Sequence, residues 1–73
     1  MQPEELLDMS KSLEITNLQV HISLLKQIIN NFETMAKLSD DPTRREEYKR
    51  EAGEVRKEVS DYERRIQTLR GSQ

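Results

Sequence analysis

His21 is the residue best suited to chemistry in this sequence, because imidazole titrates near neutral pH and binds zinc. A helical zinc site needs a second ligand one turn away, but Leu24 and Leu25 occupy that turn and the chain has no cysteine. His21 borders an apolar surface, where its charge could tune an interface with acidity. A packed or half-exposed structural histidine is the interpretation that the sequence favours.

Catalysis requires a nucleophile with a base, a metal site, or carboxylates in a sheltered cleft. The chain has one histidine and no cysteine, and its only glycines, Gly53 and Gly71, form no phosphate-binding loop. The fold predicted below is a hairpin of two helices, and such a hairpin offers no cleft deep enough to shift carboxylate pKa values. We therefore predict a protein that is not an enzyme, with no catalytic, metal-binding or cofactor-binding residue and no small-molecule substrate.

The second half of the chain carries a modest basic end, formed by Lys57, Arg64, Arg65 and Arg70. These side chains could contact phosphate, but Asp61 and Glu63 lie among them and no aromatic stacking platform accompanies them. The formal net charge of -2 also gives no reason to favour nucleic acid. A solvated face is the favoured interpretation, and no nucleic-acid partner is predicted.

Composition limits how this chain can be stabilised. With 73 residues and no cysteine, it is one domain at most, without disulfides or a thiolate zinc site. Extra stability must then come from oligomerisation or a partner. The mean hydropathy is -0.93, and no stretch approaches the roughly 20 apolar residues that cross a bilayer. Residues 1–20 lack the pattern of a secretory signal, so we expect a cytoplasmic protein without membrane insertion.

The first predicted helix spans about 13–38. Its seam consists of apolar residues spaced alternately three and four apart: Ile15, Leu18, Ile22, Leu25, Ile29, Phe32 and Ala36. Further apolar residues lie outside this seam, so the apolar arc covers roughly 220° of the helix at 100° per residue. One neighbouring helix cannot cover so wide an arc.

The apolar residues outside the seam form a second surface, called the strip below: Leu13, Val20, Leu24, Ile28, Met35 and Leu38. Apolar strips on small soluble proteins usually mark an interface. We predict that the strip binds protein, with Leu24, Ile28 and Met35 as anchors. The occupant is either a helical, chaperone-like partner or further copies of the chain in a helical bundle, and the same residues serve both.

A second helix is predicted over about 42–70. Pro42 suits a first helical turn, and Asp41 before it is a good N-cap. Its seam is narrow and consists of Tyr48, Ala52, Val55, Val59, Tyr62, Ile66 and Leu69. The rest is mostly charged, and it predicts ion pairs one turn apart: Glu46 with Arg50, Glu54 with Lys57 and Asp61 with Arg65. The patch at Gly53 is either a tolerated exposed glycine or a site of close approach for a partner.

These patterns predict an all-α fold. Because the connection between the two helices is so short, they should form an antiparallel, coiled-coil-like helical hairpin. We expect this hairpin to be packed into a larger helical assembly. Helix 1 is then enclosed between helix 2 and a further body. Residues 1–12 are expected to be either a frayed extension of helix 1 or a short separate helical turn. Residues 71–73 are expected to be a disordered tail, with Gly71 as a C-cap.

The hairpin resembles the small co-chaperones of type III secretion needle subunits. The resemblance covers residues 13–69 and rests on the size of the chain, the arm lengths and the turn region "DDPTRREEY" at 40–48. In that family the small protein pairs with a tetratricopeptide-like chaperone, and the pair keeps the needle subunit monomeric in the bacterial cytosol. The resemblance implies that the strip docks onto the larger chaperone. The more heavily charged second helix departs from the family.

The stretch 38–42 is also similar to the turn of the needle subunits themselves, which are helical hairpins. This chain lacks an apolar C-terminal end suited to a filament, since it closes with Arg70, Gly71, Ser72 and Gln73. The alternative to a co-chaperone is therefore a self-assembling coiled-coil or bundle subunit of a scaffold or filament.

Overall fold

A computed structural model describes residues 3–71 as two helices, α1 (Pro3–Leu38) and α2 (Pro42–Gly71). The three residues 39–41 connect them, and the helices pack against each other along most of α2. The molecule is 60 Å long and only 16 by 10 Å across. The predicted all-α helical hairpin is confirmed.

The core is a single layer of side chains between the two helices. Its buried members alternate along the two seams: Leu18, Ile22, Leu25, Ile29, Ala52, Val59 and Ile66. Half-buried side chains close its edges: Ile15, Phe32, Val55, Tyr62 and Leu69. Because each seam has a period close to that of the helix, the two apolar rows face one another over the whole contact.

The turn is held by hydrogen bonds from its own polar residues. The Asp41 carboxylate accepts a bond from the Thr43 N–H at 3.0 Å, which makes Asp41 the N-cap of α2. The Ser39 hydroxyl lies 3.3 Å from both the N–H and the carbonyl of Asp41. The Arg45 guanidinium donates to the Ser39 carbonyl at 2.8 Å and so ties the end of α1 to the start of α2.

The start of α1 lies ten residues before the predicted one, at Pro3 rather than residue 13. Proline suits a first helical turn, and Glu4 and Glu5 favour the positive end of the helix dipole. Adding residues to an existing helix carries no nucleation cost. Residues 3–12 are thus a continuous extension of α1 and not a separate turn.

This extension, called the overhang below, projects beyond the end of α2. Leu69, near the end of α2, lies at the level of Ile15, and both line one shallow depression. The remaining part of α1, residues 3–12, therefore projects by about 15 Å at 1.5 Å per residue. Residues 4–10 are all exposed because α2 does not reach them.

The end of α2 also differs from the prediction. Gly71 is the last residue of α2 and not the first of the tail predicted at 71–73. Neither Gly53 nor Gly71 has a positive φ, so Gly71 does not form a left-handed C-cap. Residues 1, 2, 72 and 73, on which parts of the terminal predictions fall, lie outside the described residues.

The outer face of α2 carries ion pairs one turn apart. The predicted pair of Glu54 and Lys57 is confirmed at 3.4 Å. Glu46 and Asp61 pair with Lys49 and Arg64, three residues on, and not with the predicted Arg50 and Arg65, four residues on. Both spacings bring side chains together on a helix, and pairs this exposed are worth roughly 0.3–0.5 kcal/mol each.

Candidate protein-binding surface

The six side chains of the strip are exposed in the hairpin. Their exposed fractions lie between 40% for Ile28 and 78% for Leu38. At 100° per residue the strip is centred about 135° around α1 from the seam that faces α2. A neighbour that packs on the seam therefore leaves the strip uncovered, as the sequence pattern requires.

Two pairs of consecutive residues locate the boundary between core and strip. Leu25 is 9% exposed and Leu24 is 54% exposed. Ile29 is 9% exposed and Ile28 is 40% exposed. Because consecutive helical residues point about 100° apart, each pair places one side chain against α2 and an identical one on the strip.

The strip belongs to a longer surface that includes part of the overhang. Ten positions of α1 fall within its arc of about 80° at 100° per residue: Leu6, Ser10, Leu13, Asn17, Val20, Leu24, Ile28, Asn31, Met35 and Leu38. None of them is charged, although the chain as a whole is 36% charged. The arc is a narrow uncharged face along nearly all of α1.

His21 lies at the edge of this face, between the strip and α2. Its ring stacks on Tyr62 of α2, with centroids 5.1 Å apart and an angle of 28° between the planes. Phe32 and Tyr48 stack on the same edge with centroids 6.4 Å apart. His21 is thus a structural contact between the helices, which agrees with the favoured interpretation.

The opposite edge of the interface is polar. Arg56 of α2 donates to the Glu33 carboxylate of α1 within hydrogen-bond distance. Beside this pair lies a shallow depression of about 440 Å³, lined by Glu33, Ala36, Lys37, Arg45, Lys49, Ala52 and Arg56. The helices therefore contact each other through rings on the strip side and through charges on the far side.

Residues 3–71 contain no other arrangement that suggests chemistry. No group of three or more His, Cys, Asp or Glu side chains in this part of the chain could hold a metal ion. Neither of the two helices is long and apolar enough to cross a membrane. The uncharged face of α1 is the feature of the described chain that most requires a functional explanation.

Several features of this surface were not predicted. Leu6 extends the face into the overhang, where only the continuous α1 places it, and Asn17 and Asn31 interrupt the face within residues 13–38. The pairing of Glu33 with Arg56 depends on the register between the helices, which the sequence gives only to within about a turn. The heptad spacing of Leu6 and Leu13 could have identified the first of these features.

Comparisons with known proteins provide no relative. No family model matches the chain, no curated protein matches it, and no solved structure matches it. The proposals below therefore depend on the geometry of α1 and on the resemblance of the turn region.

Proposed function

We propose that the chain is a non-enzymatic protein-binding module that offers the strip on α1 to a helical partner. The observation that carries the proposal is the exposure of Leu13, Val20, Leu24, Ile28, Met35 and Leu38 on one uncharged face. An amphipathic helix that lays such a face into an apolar groove is a common mode of protein recognition. The anchors follow the spacing that this mode uses.

The partner proposed is a larger helical-repeat chaperone, and the pair would keep a type III secretion needle subunit soluble in the cytoplasm. The support for this finer assignment is the resemblance of the hairpin and of residues 40–48 to the small co-chaperones of that system. The strip spans residues 13–38 of α1, so it could lie against several successive repeats. The charged outer face of α2 would remain in contact with solvent.

Paired charge substitutions on α1 test the proposal. Ile28→Asp with Met35→Asp places two carboxylates on the strip, where docking would bury them unpaired at a cost of several kcal/mol. Ser23→Asp with Asn30→Asp is the matched control, since these exposed residues have the same spacing of seven on the polar face of α1. Neither pair touches the core, so helicity measured by circular dichroism should change little.

The measurement is co-purification from the native host, followed by identification of the bound protein. The native chain and the control should recover a helical-repeat chaperone together with the needle subunit, and the strip variant should recover neither. A complex that survives the strip variant would show that binding uses another surface. A bound protein without helical repeats would contradict the co-chaperone assignment.

A second candidate is a self-assembling bundle or filament subunit. The observation that favours it is the continuation of the uncharged face through Leu6, beyond the end of α2. Sedimentation of the isolated chain separates the candidates. Polymers indicate a filament, a discrete dimer indicates self-association, and an aggregation-prone monomer indicates a missing partner.

A further inference from the structure

The uncharged face of α1 is nearly symmetric about Leu24. Asn17 precedes Leu24 by seven residues and Asn31 follows it by seven. The apolar positions match in the same way: Val20 and Ile28 lie four residues on either side, and Leu13 and Met35 lie eleven. Ser10 and Leu38, fourteen residues away, are the one unlike pair. Reversing the helix direction therefore reproduces its own pattern of polar and apolar residues.

From this symmetry we infer that the strip, when no other helical partner occupies it, binds α1 of a second copy in antiparallel orientation with Leu24 on the twofold axis. The inference rests on the proposed function, because it names a partner for the same surface. In this arrangement Asn17 lies opposite Asn31 of the second copy. Buried asparagine in an otherwise apolar seam is a known means of setting register and oligomer state.

Opposite charges meet beside this contact. Arg44 lines a shallow depression with Met35, Leu38, Ser39 and Tyr48, so it lies on the strip side of α2. Glu14 lies on the same edge of α1, and centring on Leu24 brings it opposite residue 34, near Arg44 of the second copy. Neither side chain forms an ion pair within residues 3–71. The antiparallel pair therefore has complementary charges at both ends.

The overhang also contacts the second copy in this arrangement. Residues 10–12 lie opposite residues 36–38 of the second copy, and the residues before them extend past the end of its α1 and along its turn at 39–41. Leu6, which is 53% exposed in the single hairpin, then lies over the turn that connects the partner's helices. The twofold axis preserves the edge of α1 that faces α2, so the two α2 helices lie on one side of the pair and do not collide. The overhang and the strip act as one surface.

Cysteine cross-linking tests both the occupant and its direction. The chain has no cysteine, so Asn17→Cys and Asn31→Cys each introduce a single thiol on the uncharged face. In the antiparallel pair the two copies of residue 17 are about 21 Å apart at 1.5 Å per residue, beyond the roughly 4–7 Å that a disulfide spans between Cα atoms. Mild oxidation should cross-link a mixture of the two variants but neither variant alone.

Each other outcome overturns the inference. A parallel pair would cross-link Asn17→Cys with itself and Asn31→Cys with itself. A pair joined elsewhere, or no pair, would cross-link none of the samples. Circular dichroism of the variants establishes that they fold, and both substituted positions are exposed.

Sedimentation provides a second test without cysteine. The native chain should be a dimer, and Leu24→Asp should raise its dissociation constant at least about 100-fold because both charges meet at the axis. Ser23→Asp, one residue away on the polar face, should leave it nearly unchanged. If the native chain is a monomer that still binds a chaperone through the strip, only the self-pairing is overturned. If the native chain is a dimer without a helical-repeat partner, only the co-chaperone assignment is overturned.

Discussion

His21 and Tyr62 stack across the two helices, with ring centroids 5.1 Å apart. The contact lies where the buried seam of α1 gives way to the exposed strip. On the far edge of the same interface, Glu33 and Arg56 form an ion pair. The two contacts hold α2 at one angular position on α1, so the strip stays uncovered by its own hairpin.

Replacing His21 tests how much this ring contact stabilises the hairpin. Aromatic pairs contribute about 0.5–1.5 kcal/mol beyond their buried area, so His21→Ala should lower the free energy of unfolding by about that amount. Urea denaturation at fixed chain concentration measures the change. Ser23→Ala, two residues later on the polar face, should cause no loss. An equal free energy of unfolding for the His21 variant and the native chain would mean that the stacking does not stabilise the hairpin.

The neighbouring leucines and isoleucines at the border of the strip should respond oppositely to truncation. Leu25→Ala and Ile29→Ala remove buried side chains and should lower the free energy of unfolding by about 2–4 kcal/mol. Leu24→Ala and Ile28→Ala should cost the isolated hairpin less than about 1 kcal/mol, because water already covers about half of each side chain. Chemical denaturation at low concentration makes the comparison.

Leu24 and Leu25 share residue type and helix, as do Ile28 and Ile29. The change in helix propensity on substitution by alanine is therefore the same for both members of each pair. The same variants should rank in reverse order in an association assay, where the strip residues matter most. A loss of stability at Leu24 as large as that at Leu25, at a concentration where the chain is monomeric, would mean that the strip is packed in the single hairpin.

The start of α2 depends on the cap at Asp41. Its carboxylate accepts the Thr43 N–H at 3.0 Å, and loss of such a cap typically costs about 1 kcal/mol. Asp41→Ala should lower the midpoint of thermal unfolding, while Asp41→Asn should retain most of the stability, since asparagine also caps well. Asp40→Ala serves as the control, because Asp40 is not the capping residue. Equal effects at both positions would contradict the assignment.

The hairpin itself follows from the sequence because both of its determinants are local. The three-four spacing from Ile15 to Ala36 and from Tyr48 to Leu69 predicts the two helices, and Asp41 with Pro42 predicts the break between them. The exposure of the strip follows too, since a narrow seam on α2 can cover only one face of α1. These features need no knowledge of long-range geometry.

The same rules left the overhang open between a frayed extension of α1 and a separate turn. Residues 3–12 include Asp8, Ser10 and Ser12, which have weak helix propensity, and no apolar partner supports them. Helix formation there is favoured by the start at Pro3 and by the helix already formed after it. Such cooperativity extends over several turns and is missed when each segment is judged alone.

Gly53 lies in the middle of α2 without a structural need for glycine. A Cβ built there meets no atom within 4 Å, and the residue has no positive φ. Gly53→Ala should therefore raise the free energy of unfolding by about 0.5–1 kcal/mol through helix propensity. Gly71→Ala, equally open but at the end of α2, should have a smaller effect. A stabilised variant that no longer forms the native complex would instead identify Gly53 as a site of close approach.

Leu6 provides the last prediction, because it separates association from folding. It is 53% exposed and lies beyond the reach of α2, so Leu6→Ala should leave the stability of the monomeric hairpin unchanged or slightly higher, since alanine is the better helix former. The same substitution should weaken the antiparallel dimer, because Leu6 covers the turn of the second copy. Leu7→Ala is the matched control, since Leu7 is 62% exposed but points about 100° away from the strip. Sedimentation at several concentrations should show a larger dissociation constant for the Leu6 variant than for the Leu7 variant, and the reverse order would place the contact on the other side of the overhang.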